Sequence, residues 1–130
     1  MEINYIKIMP EIGCYPIWVG VDGNIKDTVE IESICNDLVL IKEFNTWDSI
    51  FQNIYDLSDP ESAGFDDKES LIAFERLGIC LWNKLSILKP AVKIEYFSFV
   101  FDRVYDNILE LQNDLDNKAI YMDSFIWVKP

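Results

Sequence analysis

The sequence predicts an α+β fold: an antiparallel sheet with three or four helices packed on one face, built by residues 1–130 as a single layered domain. Three observations lead there. Short β-prone runs flank an Asp-Gly pair near the start, central segments place apolar residues at helical spacing, and β-prone runs return toward the end. With 130 residues, 50% of them hydrophobic, 14% aromatic, and only five Gly and five Pro, the chain suits one core and is too apolar for disorder.

Ile3 to Ile8 mixes β-branched and aromatic residues at strand length, and Pro10 and Gly13 interrupt it. A second strand runs from Cys14 to Val21. Asp22-Gly23 then separates it from Asn24 to Val29, and Asp-Gly between β-prone runs signals a hairpin because both positions tolerate positive φ. An N-terminal antiparallel meander follows. From Ile31 to Glu43 the pattern is mixed: Ser33 can cap a short helix, while Leu38 to Ile41 fits helix or strand. Trp47, Ile50, Phe51, Ile54 and Leu57 recur at helical spacing after Asn45-Thr46, which is where a helix is expected to start. Such a stripe is core, not a cofactor box.

A further helix is expected from about Asp66, with Asp66 and Glu69 at capping-box spacing. Leu71, Phe74, Leu77, Leu81, Leu85 and Leu88 line one face of it. Gly78 costs about 1 kcal/mol relative to Ala and suits close packing. Lys84 and Lys89 complement the helix dipole near the end, and Pro90 stops the helix. Val92 to about Val100 reads as a strand, followed by a helix to about Leu115. A helical stripe from Phe97 through Leu115 is the alternative, so residues 97–101 remain open between the two states. Ala119 to Val128 is expected as the last strand.

Charge narrows the partners. The chain holds 23 acidic and 11 basic residues, net −12, and between Asp22 and Asp67 there are 12 acids against 2 bases. Nucleic-acid affinity rests on Lys and Arg neutralising phosphates, so direct nucleic-acid binding is not expected, and an anionic membrane repels the chain. No run approaches a membrane span, and the start lacks the basic residues of a signal peptide. A basic protein partner fits, because long-range attraction speeds encounter. The bland alternative is that the charge keeps the chain soluble and that the acids of residues 56–67 mark a solvated linker ending in helix caps.

Catalytic chemistry is hard to assemble from these residues. Histidine is absent, which removes Ser-His-Asp and Cys-His systems and the common zinc spacings. No phosphate-binding glycine loop or calcium-loop order is present. Asp66-Asp67 and Asp102 with Asp106 are formal carboxylate pairs, the latter four apart on one helical side, but acids are numerous enough for such pairs to arise by chance. Cys14, Cys35 and Cys80 have apolar neighbours and read as buried free thiols in a reducing cytoplasm. No catalytic residue, cofactor or metal is expected.

At Ile8-Met9-Pro10-Glu11-Ile12-Gly13-Cys14-Tyr15-Pro16-Ile17-Trp18 the chain resembles small acidic bacterial proteins that carry Pro-Glu-x-Gly-Cys-Tyr-Pro-[Leu/Ile]-Trp before an Asp-Gly turn. These are found among immunity proteins of polymorphic toxin systems, including contact-dependent growth inhibition. The likeness spans Ile8 to Gly23 and extends more loosely to Trp47–Asp56. The Pro, Gly and Trp of this segment read as shaping the hairpin. The resemblance implies a non-catalytic cytoplasmic protein that covers the active site or a partner surface of a cognate toxin. A nuclease-type toxin would carry a basic cleft, which a compact acidic protein can cover. The acids expected to meet its Lys and Arg are Asp56, Asp59, Glu61, Asp66 and Asp67, with Asp22 and Asp27 next. Two other classes compete: an acidic adaptor or assembly subunit without a toxin, and an enzyme using carboxylates on a small substrate.

Overall fold

Alternating apolar residues in the first strands put one buried face on the sheet. The computed structural model describes residues 2–55, 58–59 and 63–129. Strands β1 (Tyr5–Ile8), β2 (Ile17–Val21), β3 (Asn24–Val29), β4 (Lys93–Ser98) and β5 (Arg103–Tyr105) form one sheet in the order β3-β2-β1-β4-β5. Ile8 pairs with Ile17 and Tyr96, and Ile6 with Val19 and Ile94, so these buried side chains point to the same side. Helices α1 (Leu38–Gln52), α2 (Lys68–Leu88) and α3 (Ile108–Asn117) cover that side.

The sheet is mostly antiparallel, as expected, with one exception: β1 and β4 are parallel. A parallel pair requires a long crossover. The α1–α2 pair supplies it, returning the chain to the end of the sheet where β1 starts. The Asp22-Gly23 hairpin forms as expected, with φ of 51° and 82° at its two central residues.

Several boundaries differ from expectation. Helix α1 starts at Leu38 because the Asp37 side chain accepts from the Leu40 N–H at 3.0 Å, so Asn45-Thr46 lies mid-helix. The cap of α2 is Asp67, which accepts from the Ser70 N–H at 2.7 Å; Asp66 stands one residue outside. Residues 97 and 98 end β4. A turn follows, held by the Phe101 N–H donating to Ser98 Oγ at 3.1 Å, and Asp102 adopts φ 53° before β5. Helix α3 therefore begins at Ile108, capped by Asn107, and Asp102 and Asp106 share no helix. The expected strand at 119–128 does not form. Ala119–Tyr121 is a 3-10 turn, and the tail meets the rest of the fold through Phe65, whose N–H and C=O bond Trp127 and Lys129. Cys80 is exposed and Cys14 and Cys35 are half-buried, which corrects the expectation of buried thiols.

The core is aromatic. Trp47 stacks on Phe74 at 4.6 Å and Trp82 on Tyr96 at 5.5 Å, and both indole N–H groups donate to buried carbonyls. Gly78 allows this: a Cβ there would lie 2.8 Å from Trp47 Cζ2 and would also strike the Tyr96 ring. One turn before Gly78, Glu75 is wholly buried. Tyr96 Oη donates to it at 3.0 Å, and Ser98 Oγ and the Phe99 and Val100 amides complete its shell. Burial pushes the Glu75 carboxyl up to about 7, against the downward pull of those hydrogen bonds.

Candidate partner interface

Helix α1 has three sides. Leu40, Phe44, Trp47 and Phe51 enter the core. Val39, Glu43, Thr46 and Ile50 lie along the seam with α2. Asn45, Asp48 and Gln52 form the third side, at helical spacing and turned toward the β1–β2 connection and the segment after β3.

Acids gather on that third side. Asn45 Nδ2 donates to Glu32 Oε1 at 2.6 Å, and Gln52 Nε2 donates both to Asp48 Oδ1 at 3.2 Å and to the Glu11 carbonyl at 2.9 Å. Gln52 Oε1 in turn accepts from the Gly13 N–H at 3.0 Å. Tyr15, half exposed, donates to Glu30, which raises its hydroxyl pKa, with the Glu32 charge adding to the effect. The Asn45 hydrogen bond lowers the Glu32 pKa, whereas partial burial raises that of Asp48. None of the ion pairs among the described residues involves Glu11, Glu30, Glu32 or Asp48. Among the described residues, these four carboxylates therefore have no cationic partner.

The Pro-Glu-Ile-Gly-Cys-Tyr-Pro-Ile-Trp segment places Glu11 and Tyr15. Gly13 takes φ 77°, the Cys14 N–H bonds the Glu11 carbonyl, and Trp18 Nε1 donates to the Met9 carbonyl at 2.7 Å. Beside Glu11 lies a hollow of about 400 Å³ lined by Met9, Pro10, Ile12, Phe97, Phe99 and Trp127. An apolar recess thus borders the acidic side.

The sequence-expected acids fall elsewhere. Asp22 occupies the β2–β3 turn and exchanges hydrogen bonds with Asn4 at 2.9 and 2.8 Å, at the end where β1 begins. Asp27, on edge strand β3, accepts from the Thr28 N–H. Asp66 pairs with Lys129 at 3.0 Å, and Asp67 caps α2, both at the opposite end of the sheet from Asp22. Asp59 is exposed, while Asp56 and Glu61 lie outside the described residues. Glu11, Glu30, Glu32 and Asp48 were not expected. The signal available for Asp48 was its place on the polar side of the Trp47–Phe51 stripe.

Among the described residues, no group of three or more potential ligands is placed to hold a metal ion. No helix among them is long and apolar enough to cross a membrane. The family model described as Serratia CdiI immunity protein-like matches residues 4–99. That span takes in β1 to β4, both long helices and all four acids beside α1. No curated protein matches the chain.

Proposed function

The chain belongs to the Serratia CdiI immunity protein-like family, and from that membership we propose that it neutralises a cationic, nuclease-type toxin domain by covering its active site or a partner surface. The protein acts in the cytoplasm, catalyses nothing, and uses no cofactor. Its contact surface is the acidic side of α1, with Glu11, Glu30, Glu32 and Asp48, together with the apolar hollow beside Glu11. The observation that carries this is a set of four carboxylates with no cationic partner among the described residues, next to an aromatic-lined recess. Toxin Lys and Arg would pair with the acids while an apolar side chain fills the hollow, the division of labour between rim and anchor seen in tight interfaces. Asp56, Asp59, Glu61, Asp66 and Asp67 add to the long-range field that draws the toxin in, as do Asp22 and Asp27 more remotely.

The test uses the toxin domain encoded beside this gene and measures association rate and Kd across salt concentrations. Replacing Glu30, Glu32 and Asp48 together by Lys is expected to slow association at least tenfold at low salt and to flatten its salt dependence. Replacing Asp59 and Asp66 by Lys should alter the rate less. Unchanged binding by the triple variant refutes this placement, and a neighbouring gene that encodes no toxin returns the chain to the adaptor class.

A further inference from the structure

The outer seam between α1 and α2 is apolar and exposed. Val39 and Ile87 are each 70% exposed, Leu77 52% and Ile50 39%. The helices run antiparallel, so Val39 and Ile87 share one hollow of about 270 Å³, and Ile50 and Leu77 another of about 260 Å³. Between them Lys84 Nζ bonds Glu43 at 2.9 Å. The seam spans Val39 to Ile50 and Leu77 to Leu88, roughly 18 Å of helix in each case. With two helices side by side it is about 20 Å wide. Its flat footprint is about 360 Å², which side-chain relief enlarges but leaves at the small end of specific interfaces, so the association is weak and concentration-dependent. A strip of this size, divided by one ion pair, matches the largest apolar patch of a typical monomer, and such patches often mark interaction sites.

We propose that this seam is where a second copy of the chain packs, giving a two-fold dimer with a four-helix interface. Charge selects the occupant. The chain is −12 overall, yet the seam carries Lys42 and Lys84 against Asp37 and Glu43 and is locally neutral. A cationic partner gains nothing there, while a second copy meets no like-charged face. Charge also fixes the axis. A two-fold running along the helices lays α1 of one copy on α2 of the other and sets Glu43 opposite the second copy's Lys84, twice over. An axis across the helices would set Glu43 against Glu43. The seam lies on a different side of α1 from Asp48 and Gln52, so the dimer leaves the acidic side open. This inference does not rest on the acidic side of α1 being the toxin's contact surface.

Sedimentation equilibrium of the full chain from micromolar to submillimolar concentration tests it. The mass should approach twice the 15.2 kDa of the chain. Association should tighten as salt rises, because screening weakens the repulsion between two net-negative copies. Toxin binding should respond to salt with the opposite sign. Leu77→Glu and Ile87→Glu should each weaken dimerisation at least tenfold with an unchanged circular dichroism spectrum. Should either variant misfold, the charge swap decides: Glu43→Lys weakens the dimer and Glu43→Lys with Lys84→Glu restores it. A chain monomeric at every concentration and salt overturns the inference, as does a dimer indifferent to the swap. A chain monomeric alone whose toxin shields Leu77 and Ile87 assigns the seam to the toxin and overturns it equally.

Discussion

Glu75 and the acids beside α1 carry the same group in opposite surroundings. The Glu75 carboxyl is shut inside an aromatic core, where Tyr96, Ser98 and two backbone amides converge on it. Glu30 and Glu32 face water, with Tyr15 and Asn45 as partners and no cation among the described residues. Inside, every donor around the carboxyl comes from β4 or the turn that follows it, so Glu75 ties α2 to that end of the sheet. Outside, the contacts are single and solvent-exposed: Glu32 meets α1 through one hydrogen bond from Asn45, and neither acid joins an ion pair among the described residues. The contrast separates two uses of one chemistry: a buried carboxyl that specifies the fold, and surface carboxylates the fold can lose.

The largest expected effect breaks the buried side of that comparison. Glu75→Ala leaves the Tyr96 and Ser98 hydroxyls buried without their acceptor and opens a cavity beside Gly78, which should cost about 3–5 kcal/mol. Chemical denaturation checks this, and a loss under 1 kcal/mol would show that the clamp is dispensable. The conservative variant sharpens the point through pH. With the folded carboxyl near 7 and its ordinary value at 4.5, the native state binds more protons than the unfolded chain between those values. Stability is therefore greatest below pH 4.5 from this group and falls as pH rises toward 7, by on the order of 3 kcal/mol in all. Glu75→Gln, uncharged throughout, should remove that slope between pH 5 and 7.5. A variant whose denaturation midpoint keeps the wild-type pH dependence would place the titration elsewhere.

What the sequence revealed follows the range of the forces involved. The Asp22-Gly23 hairpin and the end of α2 before Pro90 rest on local backbone geometry or one-helix patterning, and both were legible. The start of α1 was not, because exposed Leu38 and Val39 blurred the periodicity and the capping Asp37 drew no notice among so many acids. Ala119 to Val128 has strand composition, yet Trp127 packs edge-on against Phe99 at 4.9 Å, so the tail closes over the core and adds no strand. Glu75 looked like any acid on a helix, since its partners Tyr96 and Ser98 lie more than twenty residues away. The regional charge was visible, but its arrangement was not. The Glu11 backbone carbonyl meets Gln52 across 41 positions of sequence, and Glu32 meets Asn45 across 13.

The smallest effects test the surface side, and they divide acids the sequence treats alike. Asp67 holds the first turn of α2 through the Ser70 N–H, a bond that lowers its pKa. Asp67→Ala should cost about 1 kcal/mol, the usual loss for an N-cap. Its neighbour Asp66 pairs with Lys129 while its side chain stays 81% exposed, so solvent screens the pair. Asp66→Ala should then fall within about 0.5 kcal/mol of the parent. Glu30→Gln and Glu32→Gln belong with Asp66, since neither side chain caps a helix or joins an ion pair among the described residues. Equilibrium urea titrations of the four single variants measure the difference. A cost at Glu30 or Glu32 matching that at Asp67 would make them structural acids and return the α1 side to the fold. Parent-like stability there, with a clear loss at Asp67, leaves Glu30 and Glu32 free of any duty in holding the molecule together.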